Sequence, residues 1–171
     1  MMMAAHEPLL HSGLLTVKPE WIDLYGHMNA SRYFSVFVDE SFNLMEAIGV
    51  GRTHTRESGC GIFVVGAHVQ YQSELKQADA LRIRMRVLQV DRVRLLVLCE
   101  MLDDARNRVA ATFEQLTVHV NLTDRKATPL ADAKRARIES CARQHASVPL
   151  PSGHVRYLQC CAPAARSATH A

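Results

Sequence analysis

Along this chain the apolar positions follow two spacings, and each predicts a different element. From Asn29 to Ile48 they recur at three- and four-residue steps (Phe34, Phe37, Val38, Phe42, Met45, Ile48), the spacing of a helix with a broad apolar face. Asn29 stands where its carboxamide can cap the first turn, and Gly49 follows the last periodic residue as a stop. So wide a face predicts a long helix buried nearly all round against a sheet.

The other spacing is two. "IFVVGAHVQYQSEL" places Phe63, Val65, Ala67, Val69 and Tyr71 on one face. "ALRIRMRVLQV" alternates Leu81, Ile83, Met85 and Val87 inward with Arg82, Arg84 and Arg86 outward. "RVRLLVLCEML" and "RVAATFEQLTVHVNL" continue the set, and such alternation marks half-buried strands of an antiparallel sheet. Upstream, "GLLTVKPEW" predicts a short first strand ended by Pro19, with a loop over 22–29. The polar, glycine-punctuated stretch 50–61 predicts a loop.

Pro129 precedes a helical pattern, and residues from His145 onward have no periodicity. The expected organisation is an N-terminal extension (1–13), one α+β domain (14–130) with an antiparallel sheet wrapped around one long central helix, a C-terminal helix (131–145) and a mobile tail (146–171).

Composition changes this picture little. A chain of 171 residues, 48% hydrophobic and 22% charged, suits one globular domain, and a net charge of +3 is too small to argue for nucleic acid. The five cysteines form no CxxC pair and no zinc-type Cys/His spacing. Their odd number, with no basic-then-apolar leader, predicts reduced thiols in a cytoplasm. No apolar stretch approaches the roughly 20 residues of a membrane span.

Chemistry concentrates in "WIDLYGHMN", residues 21–29. Asp23 can form a turn or act as a base. Gly26 lets another group approach its backbone closely. His27 can donate to a developing oxyanion or bond within its own turn, and Asn29 can orient water or only cap the helix. Trp21 and Tyr25 can stack on a cationic group or pack the loop. Asp39 and Glu40, within the helix, are rival acids read as solvated. Ser73 and Glu74, at a strand end, can reach a site on a neighbouring protomer. The stripe of Arg82, Arg84 and Arg86, with Arg92 and Arg94 nearby, can meet phosphates or simply face solvent. His68 and His119 have no ligand partner at metal spacing and read as structural.

The loop "DLYGHMN", a following helix with Tyr33 and the strand "HVQYQSEL" resemble the hot-dog-fold acyl-CoA thioesterases, in particular the 4-hydroxybenzoyl-CoA thioesterase-like group and plant acyl-carrier-protein thioesterases. The fuller string is most similar to the betainyl-CoA thioesterase type, over about residues 14–130. The resemblance implies hydrolysis of a small or medium acyl-CoA, coenzyme A entering as part of the substrate with no metal or other cofactor. It implies Asp23 as base or nucleophile, the Gly26–His27 backbone as oxyanion site, and His27 and Asn29 as auxiliaries. Substrate contacts would come from Trp21, Tyr25, Tyr33, Gly66, Ser73, Glu74, Arg82 and Arg84. Members of this type often carry Glu where this chain has Gly66, which puts its substrate range in question. The family pairs its strands edge to edge, implying a homodimer or dimer of dimers, and an apolar edge as exposed as "IFVVGAHV" asks for such cover. Two rival functions use the same fold: a thioester hydratase-dehydratase, and a non-catalytic acyl-CoA-binding module suggested by the missing acid at Gly66.

Overall fold

The computed structural model describes residues 8–160. Its longest helix, α1 (Ala30–Leu44), packs on one face of a six-stranded antiparallel sheet. The strands are β1 (Leu10–His11), β2 (Leu15–Thr16), β3 (Cys60–Tyr71), β4 (Ala80–Val90), β5 (Arg94–Asp103) and β6 (Arg108–Asn121). They run in the order β1-β4-β5-β6-β3, with β2 also on β4. Long-range ladders between β3 and β6, β4 and β5, and β5 and β6 make up the frame. This is the hot-dog architecture.

Helix α1 starts where its cap dictates: Asn29 keeps extended backbone angles and its side chain accepts from Ser31 N–H. The chain leaves the helix through turns that end at Gly49, whose φ of +81° few other residues adopt. Tyr33, Val36, Phe37 and Ser41 form the buried stripe, and Met45 and Ile48 extend it. Phe37 stacks on Phe113 of β6; burying such a side chain contributes about 1.5–3 kcal/mol. Enclosure is less complete than the periodicity suggests. Phe34 remains 41% exposed, touching Phe113 only edge-on, and Ala30, Ser31, Arg32, Asp39 and Asn43 face outward.

Strands β4, β5 and β6 fall close to where alternation places them, and Leu81, Ile83, Met85 and Val87 face the helix as expected. Arg86, expected to face solvent, is 2% exposed. Its Nη2 and the Nη2 of Arg84 donate to the buried carboxylate of Glu100 at 3.1 and 2.8 Å. Strand β3 departs most from expectation. Its ladder slips between Val64 and Gly66, so Phe63 pairs with Val118 while Val69 pairs with Phe113. Those two β6 residues point to opposite faces, and the single inward face predicted from Phe63 to Tyr71 is therefore split.

Three further corrections concern connections and ends. Residues Arg52–Ser58 form a short helix, α2, rather than a loop, closed by Gly59 in the left-handed region. The N-terminal extension is partly strand, since Leu10 and His11 pair with Met85 and Arg84. The tail expected to be mobile packs on the sheet's outer face as far as residue 160. Val148 accepts from Arg86, and the N–H groups of Tyr157 and Leu158 donate to Glu114 at 3.0 and 2.7 Å. Polar backbone anchors hold it, which hydrophobic periodicity cannot register. Residues 1–7 and 161–171, including Cys161, lie outside the described residues. Helix α3 (Asp132–His145) packs on β4 and places Ile138 in the core.

Candidate active site

The loop before α1 closes on itself. Ile22 and Met28 bridge across it, Asp23 N–H donates to the His27 carbonyl, and Gly26 N–H donates to the Asp23 carbonyl. Gly26 turns the chain with φ +81°. Fully buried Met28 anchors the loop to the core and donates its N–H to the Leu75 carbonyl at 2.7 Å.

Within this turn Asp23 is half-buried and held on both oxygens. Oδ1 accepts from Tyr25 N–H at 2.9 Å, and Oδ2 accepts from the Asn29 amide at 3.2 Å. The other end of the Asn29 carboxamide accepts from Ser31 N–H and Ser31 Oγ. One side chain thus joins the carboxylate to the start of the helix. His27 turns Nδ1 toward the Met28 carbonyl at 3.3 Å, a contact that, with Nδ1 protonated, leaves Nε2 as the ring's available acceptor.

Beside the loop lies a cavity of about 300 Å³ lined by His27, Met28, Ala30, Tyr33, Tyr71, Gln72, Ser73 and Glu74. The N-terminus of α1 opens into it. The N–H groups of His27 and Ala30 meet no acceptor among the described residues, whereas Gly26 N–H is already donated. The free donors therefore sit one residue and four residues beyond the glycine, with the helix dipole behind them. Tyr33 spans the cavity wall: its hydroxyl accepts from Leu75 N–H at 2.9 Å and donates to the Ser73 carbonyl at 3.2 Å. Its burial pushes the phenol upward in pKa, so it stays protonated. Tyr71 meets Tyr33 edge-on at 5.4 Å and donates to the Ala30 carbonyl.

The structure brings His27, Tyr33, Ser73 and Glu74 together around this space, whereas Asp23 and Asn29, bonded to each other on the same loop, are not on its lining. Other expected residues lie elsewhere. Tyr25 is 76% exposed and stacks on His27 outside the cavity lining. Trp21 lies against Lys18, and its carbonyl accepts from Asn29 N–H. Arg82 and Arg84, on β4, pair with Asp104 and Glu100 and do not reach the cavity. A side chain at Gly66 would meet Leu116 at 3.6 Å and Leu158 at 3.7 Å, on the outer face and away from the helix. Its expected contact with substrate is not supported within the chain.

Ala30, Met28, Tyr71 and Gln72 were not singled out from the sequence as site residues. Met28, Tyr71 and Gln72 do lie within the motifs that carry the family resemblance, whereas Ala30 has no such signal. The acids Asp39 and Glu40 lie on α1 outside the cavity lining. His119 is buried and shares a 2.9 Å contact with His54, while His68 stacks on Tyr157. No group of three potential metal ligands occurs among the described residues, and no helix among them is long and apolar enough to cross a membrane.

Comparison with known proteins points the same way as the geometry. Residues 17–138 match the model of the thioesterase-like superfamily. A betainyl-CoA thioesterase of Pseudomonas aeruginosa is 30% identical over 137 residues, covering 80% of this chain and 86% of that protein. The L-carnitine dehydrogenase/betainyl-CoA thioesterase of Rhizobium meliloti is 31% identical over 83% of this chain, which spans only 28% of that longer protein. Among solved structures, a Staphylococcus aureus protein in complex with CoA shares the fold at a TM-score of 0.78 and 20% identity, covering 92% of this chain and all of that one (100%). With its long helix against an antiparallel sheet, its Asp-Gly-His-Asn loop and this match over most of its length, the chain belongs to the thioesterase-like superfamily.

Proposed function

We propose that the protein is a cytoplasmic acyl-CoA thioesterase that hydrolyses a small or medium acyl-CoA to the free acid and coenzyme A, and that it works as a homodimer or dimer of dimers. One arrangement supports the reading: the loop that carries Asp23, held by Asn29, adjoins a cavity lined by His27 and Ala30, whose N–H groups meet no acceptor among the described residues.

Thioester hydrolysis needs an oxygen nucleophile, stabilisation of the carbonyl oxygen, and a protonated or tolerated thiolate. Asp23 takes the first role, drawing a proton from a water that attacks the carbonyl carbon, or attacking that carbon itself to form an anhydride that water then hydrolyses. The His27 and Ala30 N–H groups receive the oxygen as it gains charge. Collapse of the tetrahedral intermediate breaks the C–S bond, and the leaving sulfur takes up the proton drawn from water, with His27, on the cavity lining, able to relay it. Water and side chains suffice for this chemistry; coenzyme A enters only as part of the substrate.

Release of free thiol from a panel of acyl-CoAs tests the function, with betainyl-CoA, named for the relatives, included beside aliphatic and aromatic thioesters. Asp23→Asn should lower kcat by about 10²–10⁴-fold while leaving the melting temperature close to wild type. Full activity in that variant would remove Asp23 from the mechanism. Consumption of an enoyl-CoA without thiol release would instead identify a hydratase, and tight acyl-CoA binding without turnover a binding module.

A further inference from the structure

A second recess, of about 370 Å³, lies at the end of α1 away from the Asp23 loop, lined by Phe42, Asn43, Glu46, Arg52, Thr53 and Arg56. The hydrolytic scheme makes no use of it. Helix α2 is pressed onto the turn that follows α1. A Cβ at Gly51 would collide with Glu46, and Glu46 Oε2 accepts from Thr53 N–H at 3.2 Å. Arg52 and Arg56 stand four residues apart, so their side chains share one side of α2. The Arg52 guanidinium lies over the Phe42 ring, 5.7 Å from its centre.

Like charges at this spacing repel, and no carboxylate forms an ion pair with either arginine among the described residues. The strands differ: Arg82 pairs with Asp104, Arg84 and Arg86 with Glu100, Arg94 with Asp91 and Arg108 with Asp103. Glu46, the acid on the lining, is turned to the start of α2. Hydrogen bonds from Thr53, then Arg52 N–H and the Arg56 charge, hold its carboxyl below the usual range. Two guanidinium charges against one carboxylate leave the recess net positive.

A row of apolar side chains joins this recess to the cavity beside the loop. Ala30, Phe34, Val38 and Phe42 follow at four-residue steps along α1, the first lining the cavity and the last the recess. The row is partly open, with Phe34 41% exposed. From Ala30 to Phe42 the helix rises about 18 Å, a span that an extended coenzyme A covers. An acyl-CoA has its parts in the same order: a thioester, a thin pantetheine arm and a phosphorylated nucleotide.

We propose that the Arg52–Arg56 recess is a phosphate-binding site for a nucleotide, and that it holds the phosphorylated end of an acyl-CoA whose pantetheine arm lies along the row from Ala30 to Phe42. The assignment to acyl-CoA rests on the thioesterase reading; phosphate binding alone does not. Guanidinium groups suit such a ligand because each offers a phosphate two parallel N–H donors.

The test compares kcat/KM for one acyl group carried on coenzyme A and on pantetheine, which lacks the phosphates, in wild type and in Arg52→Gln/Arg56→Gln. The wild type should prefer acyl-CoA by about tenfold or more, and the double variant should lose most of that preference through KM. Calorimetric titration with adenosine 3′,5′-bisphosphate should show binding to the wild type that acyl-CoA displaces, salt weakens, and the double variant reduces by about tenfold. Nucleotide binding that the variant loses but acyl-CoA does not displace would overturn the assignment to substrate and make the ligand a free nucleotide. An equal preference in wild type and variant, with no nucleotide bound by either, would overturn the whole inference and leave the thioesterase reading standing. No thiol release from any acyl-CoA would overturn that reading, and the nucleotide titration would still decide the phosphate site.

Discussion

Asn29 uses one carboxamide for two purposes, and the two can be separated. Its oxygen caps α1 through Ser31, while its amide holds Asp23 Oδ2 at 3.2 Å. Serine at this position keeps the capping oxygen but is too short to reach Asp23. Asn29→Ser should therefore melt close to wild type and still lose about tenfold or more in kcat, whereas Asn29→Ala should also lose about 1 kcal/mol of stability. Thermal melts beside thiol-release kinetics would show the split; equal kinetics in the two variants and the wild type would reduce Asn29 to a cap. Tyr33 shows the opposite case. Its hydroxyl reaches Ser73 and Leu75, some 40 and 42 residues along the chain. Tyr33→Phe leaves the buried Leu75 N–H without an acceptor and should cost about 1–3 kcal/mol in denaturant unfolding. The cap was legible in the sequence because its partner is two residues away. The brace was not, because local spacing says nothing about what a side chain meets across the fold.

At the scale of elements, legibility follows what fills each face. Strands β4 and β6 showed in the sequence because apolar positions alternate with polar ones, and helix α3 because Pro129 precedes its helical pattern. Helix α2 did not, since among its residues only His54 is buried and its core contact is polar. The His119 ring points Nδ1 at the Thr128 carbonyl at 2.7 Å and Nε2 at His54 Nε2 at 2.9 Å. With Nδ1 as donor, the bond between the rings requires His54 to give its Nε2 proton to an unprotonated His119 nitrogen. Burial holds His54 below the ordinary imidazole range, with Lys134 and His119 adding to the effect and Glu57 opposing it. Burial likewise lowers His145. An unfolded imidazole takes its proton near pH 6.5, so below that pH the unfolded chain binds more protons than the folded one. The stability these residues contribute is present in full above about pH 6.5 and falls as pH drops toward their folded values. Melting temperatures measured between about pH 7 and pH 5 should decline more in the wild type than in His54→Gln, which keeps a donor for His119 but does not titrate. Parallel declines would show that the pair does not couple α2 to the sheet. The C-terminal segment is a second element hidden from periodicity. Glu114, 1% exposed, receives two of its N–H groups and a contact from His154 at 3.1 Å. Glu114→Leu should release it, making the bond after exposed Arg156 about tenfold or more sensitive to trypsin.

For the whole molecule the open question is what covers β3. Among the described residues this strand pairs only with β6, so its other edge presents backbone groups that no described strand pairs. Along it Phe63, Val64 and Val65 are 38%, 46% and 58% exposed in succession, on both faces because successive strand residues alternate. A lone edge of this length with consecutive apolar residues and no charge between them invites pairing. The cavity opens at the far end of the same strand, where Tyr71, Gln72 and Ser73 leave the sheet. A second copy laid antiparallel along β3 would extend the sheet, cover the three apolar side chains and bring one protomer's strand close to the other's cavity. Dimerisation and turnover should then fail together. Val65→Lys places a charge on the edge without touching α1 or the loop. It should shift sedimentation from dimer to monomer at micromolar concentration, a loss of about 1.4 kcal/mol for each tenfold weakening of association. Thiol release should fall in step with the dimer fraction and recover at higher protein concentration. A wild type that sediments as a monomer and retains full activity would show that one chain builds the whole site, with β3 left as an edge that this fold tolerates.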